Sequence, residues 1–103
     1  MAYTYILKLA NKSYYVGSCH NLKTRINQHL KGRVVSTRNK RPLILLYAKY
    51  FKTYSSANFE EFRIKRWKKR KSIENLIKYD KDNIISGPDI GLRQIEDPRL
   101  RFD

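Results

Sequence analysis

One cysteine, Cys19, is present in 103 residues, so the chain cannot close an internal disulfide. That excludes a small secreted scaffold stapled by disulfides, and a reducing cytoplasm is the expected location. Acidic residues are scarce, 9 against 23 Lys and Arg, for a formal charge of +14. The imbalance does not specify a fold. It does select for polyanionic partners, nucleic acid first and an anionic membrane surface second. Long hydrophobic runs are missing as well: no stretch approaches the ~20 apolar residues of a membrane span. Met1-Ala2-Tyr3 opens no basic flank followed by the apolar core of a secretory leader. No helix pattern carries the broad apolar face that holds a protein on a membrane surface, so no membrane partner is expected. The chain shows no internal repeat, no low-complexity block and no sign of an obligate protein partner.

What is present fits one domain, and a chain of this size can bury roughly two thirds of the surface it exposes when unfolded. Tyr3-Thr4-Tyr5-Ile6-Leu7-Lys8-Leu9 is aromatic and branched and predicts a strand. The turn-like Ala10-Asn11-Lys12-Ser13 and a second strand, Tyr14-Tyr15-Val16-Gly17, complete a hairpin. Asn21 is placed to cap a helix carrying Leu22, Ile26 and Leu30, with Gly32 ending it. After a polar, basic loop, the apolar run from Leu43 to Phe51 predicts a third strand, central in the sheet. A second helix is expected from Ser55 or Ser56 to about Lys69, and a short third one capped by Ser72, with Ile73, Leu76 and Ile77 inward. The order ββαβαα predicts an α+β fold, a small three-stranded, mainly antiparallel sheet flanked by helices. The domain is expected over residues 1–80. Beyond it, Gly87-Pro88-Asp89, Gly91 and Asp97-Pro98 break every period, so 81–103 is expected as an irregular tail, docked or disordered.

Two features of the helices bear on chemistry. Arg25 and His29 lie about 60° and 20° to one side of the Leu22–Ile26–Leu30 stripe, at ~100° per residue. They either look into a cleft formed with the hairpin or snorkel from a half-exposed edge. Glu61 falls near the face expected to meet the sheet, where a carboxylate is costly without a cation. It is either a metal or cation ligand or half of a surface pair with Lys65.

The ordered set Tyr3-Thr4-Tyr5, Tyr14-Tyr15-Val16-Gly17-Ser18, Asn21-Leu22-Lys23-Thr24-Arg25, His29, Gly32, Thr37-Arg38, Arg41-Pro42 and Ala57 through Glu61 to Ile64-Lys65 resembles the GIY-YIG endonuclease family. It is most similar to the compact single-domain bacterial YhbQ-like branch, whose module is shared with the N-terminal incision domain of UvrC. The resemblance covers about residues 3–79 and implies a metal-dependent endonuclease acting on DNA phosphodiester bonds. It implies Tyr15 as general base for the attacking water, and Tyr5 as an orienting group for water or phosphate. Arg25 is then the phosphate-charge stabiliser, His29 an aid to proton transfer, and Glu61 the holder of one divalent cation, Mg²⁺ or Mn²⁺. Tyr3 stands where the first motif usually has Gly, and Cys19 where Thr is frequent. Cys19 reads as a small, part-buried thiol, since no catalytic partner accompanies it beyond His20. Asn75 is the nearest candidate for an asparagine that often follows the metal glutamate, at a loosely matching spacing.

The chemistry asks for such residues, because phosphodiester hydrolysis needs an activated water and neutralised phosphate oxygens. Tyrosine ordinarily titrates near 10 and works as a base only where cations favour its phenolate or a metal acidifies the water. The footprint for nucleic acid is expected from Arg33, Arg38, Lys40 and Arg41 in the loop, and from Lys65, Lys68 and Lys69 at the end of the second helix. Trp67 among them reads as a packing residue. The residues do not choose among single strands, flaps, branched junctions and duplex, nor between DNA and RNA. The alternative is a catalytically inactive, basic nucleic-acid-binding module of the same fold. Either reading predicts that affinity for DNA falls steeply as salt rises, as log Kd against log salt will show; a Kd indifferent to salt would contradict a phosphate-gripping surface.

Overall fold

The computed structural model describes residues 1–85. Its elements are β1 (Ala2–Lys8), β2 (Tyr14–Cys19), α1 (Leu22–Leu30), β3 (Ile44–Phe51), α2 (Tyr54–Lys65) and α3 (Arg70–Tyr79). The expected α+β order is therefore the one found, with a fully antiparallel sheet in the order β2-β1-β3. The central strand is β1, not β3 as the apolar run suggested. Strand β1 pairs with β2 along one edge and with β3 along the other, and its Thr4, Tyr5, Ile6 and Leu7 are all buried, so its faces are covered as well.

Pairing of β1 with β2 sets Tyr5 opposite Gly17 and Leu7 opposite Tyr15. Directly opposed residues project to the same side of a sheet, so Tyr5 and Tyr15 share a face. That face packs against α1 in a core of Tyr5, Leu7, Cys19, Leu22, Ile26, Leu45 and Ala48. The opposite face carries Ile6, Val16 and Tyr47 against Ile64 of α2, with Trp67, Ile73, Leu76 and Ile77 closing over them. The domain is thus three layers, with α1 on one side of the sheet and α2 and α3 on the other. A buried hydroxyl fastens the second layer, Thr4 Oγ1 donating to the Ala57 carbonyl at 2.7 Å.

Helix ends follow their local chemistry. Asn21 caps α1 as expected, its side chain accepting from the Thr24 amide. At the other end Gly32 has φ 72, with the Arg33 amide bonded to Gln28 O and the Gly32 amide to His29 O. That is the closure a left-handed glycine permits. The buried stripe of α1 is Leu22, Ile26 and His29 rather than Leu22, Ile26 and Leu30. Helix α2 starts on a Thr53 cap and stops at Lys65, short of the expected Lys69. Continuing it would stack Arg66 beneath Lys69 and Arg70, like charges at i, i+3 and i+4. Helix α3 begins at Arg70, two residues before the expected Ser72 cap, where an Arg70–Glu74 pair supports its first turn.

The outer edge of β3 is covered by the segment after α3. Asn83, 3% exposed, accepts from the Ala48 and Ile85 amides and donates to the Leu46 and Ile77 carbonyls. The Ile84 amide adds a bond to Ala48 O, and Ile85 enters the first core. The rest of the expected tail, 86–103, lies outside the described residues. Because Asn83 satisfies four backbone groups, two of them through buried bonds, Asn83→Ala is expected to lower the unfolding free energy in urea by about 2 kcal/mol or more. A change within about 0.5 kcal/mol would show that this clasp is dispensable.

Candidate active site

The first motif tyrosine is pressed onto the second motif glycine. A Cβ at Gly17 would lie 2.5 Å from the Tyr5 hydroxyl and 2.7 Å from the ring carbon bearing it. Only glycine lets the Tyr5 ring cross β2 at this level, and the crossing delivers its hydroxyl to α1. There the hydroxyl lies 2.8 Å from His29 Nε2 and receives a hydrogen bond from Arg25 Nε at 3.3 Å. Behind the imidazole, Nδ1 lies 2.8 Å from Thr37 Oγ1, and that hydroxyl reaches the Val34 carbonyl at 3.5 Å. A carbonyl can only accept, so we assign one direction along the chain. Arg25 donates to Tyr5, Tyr5 donates to Nε2 of a neutral His29, Nδ1–H donates to Thr37, and Thr37 donates to Val34.

Burial sets the protonation states. His29 is 0% exposed, and desolvation, followed by the nearby Arg25 charge, pushes its pKa down to about 4. Burial pushes the Tyr5 phenol well above its ordinary range, which outweighs the lowering by the Arg25 hydrogen bond. Tyr5 is therefore a proton donor held in place, not a base. Arg25 is held charged more firmly than usual, first by its hydrogen bond to Tyr5 and with help from Tyr15. Cys19 is buried and its thiol pushed up to about 11, so it is no nucleophile at neutral pH.

Tyr15 completes the group. Its ring centroid is 5.1 Å from His29, edge to face, and 6.3 Å from Tyr5. Unlike Tyr5, which is fully buried, it is half-buried. The structure thus gathers Tyr5, Tyr15, Arg25 and His29 in one place.

Glu61 is elsewhere. It lies on α2, across the sheet from the tyrosines, and the Ser18 hydroxyl donates to its Oε1 at 2.5 Å. Lys65 holds the other oxygen, Oε2. Ser18 also lies 3.4 Å from Asn58 Oδ1 and 3.5 Å from the Tyr54 hydroxyl, and Tyr54 stacks on His20 at 4.7 Å. No hydrogen bond or ion pair among the described residues joins Glu61 to Tyr5, Tyr15, Arg25 or His29. What links the two halves is β2, where Gly17 and Ser18 are consecutive and face opposite sides. No strand pairs with the outer edge of β2 among the described residues.

The carboxylate buried on α2 is Glu60, 7% exposed and neutralised by Arg63 through contacts of 2.8 and 2.7 Å. Asn75 is exposed on α3. Asn58, one turn before Glu61, is the asparagine that shares a partner with it. Of the basic residues expected to grip phosphate, Arg33, Arg38, Lys40, Lys65, Lys68 and Lys69 are exposed. Arg41 is exposed as well, and its guanidinium also donates to the Leu30 and Arg38 carbonyls. Trp67 packs into the second core beneath the Arg63 guanidinium, 4.9 Å from the ring centroid. Ser18 and Asn58 carried no signal of their own in the sequence, because their roles depend on α2 crossing β2.

Comparison with known proteins follows the same outline. A family model described as the GIY-YIG catalytic domain matches residues 1–75. A UPF0213 protein from Oceanobacillus iheyensis is 41% identical over 76 residues, 70% of this chain and 88% of the relative. Another, from Nitratidesulfovibrio vulgaris, is 31% identical over 86 residues, 82% of this chain and 78% of the relative. The solution NMR structure of a UPF0213 protein from Bacillus halodurans matches with a TM-score of 0.52 at 28% identity, covering 78% of this chain and 86% of that one.

The buried imidazole carries a pH signature. Its pKa is lowered in the folded state from the ordinary 6.5 to about 4. Between those values the unfolded chain binds more protons, so the stability that comes from keeping His29 neutral is full above 6.5 and is lost as pH falls toward 4. Proton-detected NMR should show His29 unprotonated at pH 5.5, with stability declining across that window; a His29 midpoint near 6.5 would refute the burial described here.

Proposed function

The chain belongs to the GIY-YIG nuclease-domain family, and from that premise we propose that it is a divalent-metal-dependent endonuclease hydrolysing DNA phosphodiester bonds. The observation that carries the reading is the charged Arg25 set beside two tyrosines, one fully buried and one half-buried, and backed by a neutral histidine. A fixed guanidinium beside a half-buried tyrosine suits a phosphodiester, whose non-bridging oxygens gain charge as water attacks.

Each residue then has a distinct task. Arg25 binds the scissile phosphate and stabilises the charge that develops on it, with little reorganisation because Tyr5 and Gln28 already hold its side chain. Tyr15 takes the proton of the attacking water, with the Arg25 guanidinium set beside the phosphate that this water attacks. Tyr5 stays protonated and keeps Arg25 and His29 in register. His29, neutral at physiological pH, fixes the Tyr5 hydroxyl and is itself fixed by Thr37. Arg33, Arg38, Lys40, Lys68 and Lys69 grip flanking phosphates, a sequence-independent task.

The donors around Glu61 are a carboxylate, a serine hydroxyl, an amide oxygen and a phenol. This all-oxygen set suits hard cations such as Mg²⁺ or Mn²⁺. No group of three or more His, Cys, Asp or Glu stands ready for a metal among the described residues, which fits a weakly held ion that keeps several waters and shares phosphate oxygens. Such an ion would neutralise phosphate charge and make bound water more acidic. A nucleic-acid strand laid along the open edge of β2 would meet Tyr15 and Arg25 from one face and Glu61 from the other. No helix among the described residues is long and apolar enough to cross a membrane.

The test is a panel of labelled single-stranded, duplex, flap and branched DNAs, with RNA alongside, incubated with Mg²⁺ or Mn²⁺. Wild type is expected to cut at least one DNA, and Arg25→Ala, Tyr15→Phe and Glu61→Ala to lose about a hundredfold or more in rate. Cleavage that persists in excess chelator, or in the Glu61→Ala protein, would overturn the mechanism.

A further inference from the structure

Resting on the nuclease reading and on Glu61 as its metal carboxylate, we propose that Lys65 is a positioning residue that occupies the cation side of Glu61 until nucleic acid draws it away. The two oxygens of Glu61 are held unequally. Ser18 approaches Oε1 with a neutral hydroxyl, which can keep its hydrogen bond and orient the carboxylate while the other oxygen binds an ion. Lys65 approaches Oε2 with an ammonium one helical turn away. A divalent cation and an ammonium cannot share one carboxylate oxygen without like-charge repulsion at close range. Of the two partners, only Lys65 has to leave.

It is also built to leave. Its side chain is 52% exposed while that of Glu61 is 17% exposed, so the carboxylate is sheltered and its counter-ion faces solvent. An i, i+4 pair of this kind contributes only a few tenths of a kcal/mol to a helix, and the lysine stem is long and flexible. Phosphates of a strand on the β2 edge would supply Lys65 with a new anionic partner and leave Glu61 free. The consequence is weak metal loading of the free protein and stronger loading when substrate is bound, with Lys65 passing from carboxylate to phosphate.

The decisive measurement is Mn²⁺ binding to the protein without nucleic acid, read from the electron paramagnetic resonance of free Mn²⁺. Lys65→Met is expected to bind Mn²⁺ about tenfold more tightly than wild type, a partly exposed charge having been removed. Lys65→Arg, which keeps the charge, should bind no more tightly than wild type, and Glu61→Gln should abolish the gain of Lys65→Met. Circular dichroism checks that α2 is intact in each variant. Equal Mn²⁺ affinity in wild type and Lys65→Met, or a gain that Lys65→Arg shares, overturns the proposal. So does an absence of binding to every variant. Failure of the nuclease reading would show separately, as wild-type protein that cuts no substrate with any divalent ion.

Discussion

The hydrogen bond between Tyr5 and His29 joins the central strand to α1 through the interior, and most of the site is arranged by what it requires. The Tyr5 ring must cross β2, so position 17 can carry no Cβ. His29 must be buried to meet it, so its imidazole is neutral and needs a second partner, which the loop after α1 supplies as Thr37. With both nitrogens engaged, the ring is fixed in orientation and tautomer, and Tyr15 rests edge-on against it. Arg25, one turn earlier on α1, then reaches the same phenol. The loop that looked like a basic arm is thus also the back wall of the site: Val34 and Thr37 point inward while Arg33, Arg38 and Lys40 point out.

Layering explains how a domain this small separates two kinds of chemistry. The buried relay of Tyr5, His29 and Thr37 lies between the sheet and α1, where water is excluded and protonation states are fixed by burial. Glu61 lies where α2 meets the sheet, among hydroxyl and amide oxygens and beside the Lys65 ammonium. An edge strand is the one place where groups from opposite faces of a sheet come near each other, and β2 is that edge. The other edge, β3, is closed by Asn83 and Ile84. Among the described residues β2 pairs on one side only.

Legibility in the sequence varied with the range of the interaction. The hairpin, the Asn21 cap, the Gly32 stop and the packing of Trp67 were readable because they depend on residues a few positions apart or on the size of one side chain. The α+β class followed from the order of elements, and the candidate residues Tyr5, Tyr15, Arg25, His29 and Glu61 from the spacing of their motifs. Strand order was misread, because an apolar run reports burial on two faces but not which neighbours cover them. The end of α2 was misread because helix propensity continues past Lys65 while like-charge stacking and the inward turn of Trp67 do not let the helix follow. The helical spacing put Glu61 near the sheet-facing side, yet packing buries Glu60, neutralised by Arg63, and leaves Glu61 half-buried against Ser18.

The sequence by itself determined a basic, single-cysteine α+β domain and its candidate site residues, since charge, pattern and motif are properties of the chain. The tertiary structure alone decided that Tyr5 is fully buried and protonated while Tyr15 is half-buried. It also decided that His29 is neutral, that Arg41 bonds the Leu30 and Arg38 carbonyls, and that Glu61 stands across the sheet from the tyrosines under the hold of Ser18 and Lys65. These are consequences of desolvation and of contacts between residues far apart in the chain. They exist only once α1 and α2 have closed on opposite faces of the same three strands.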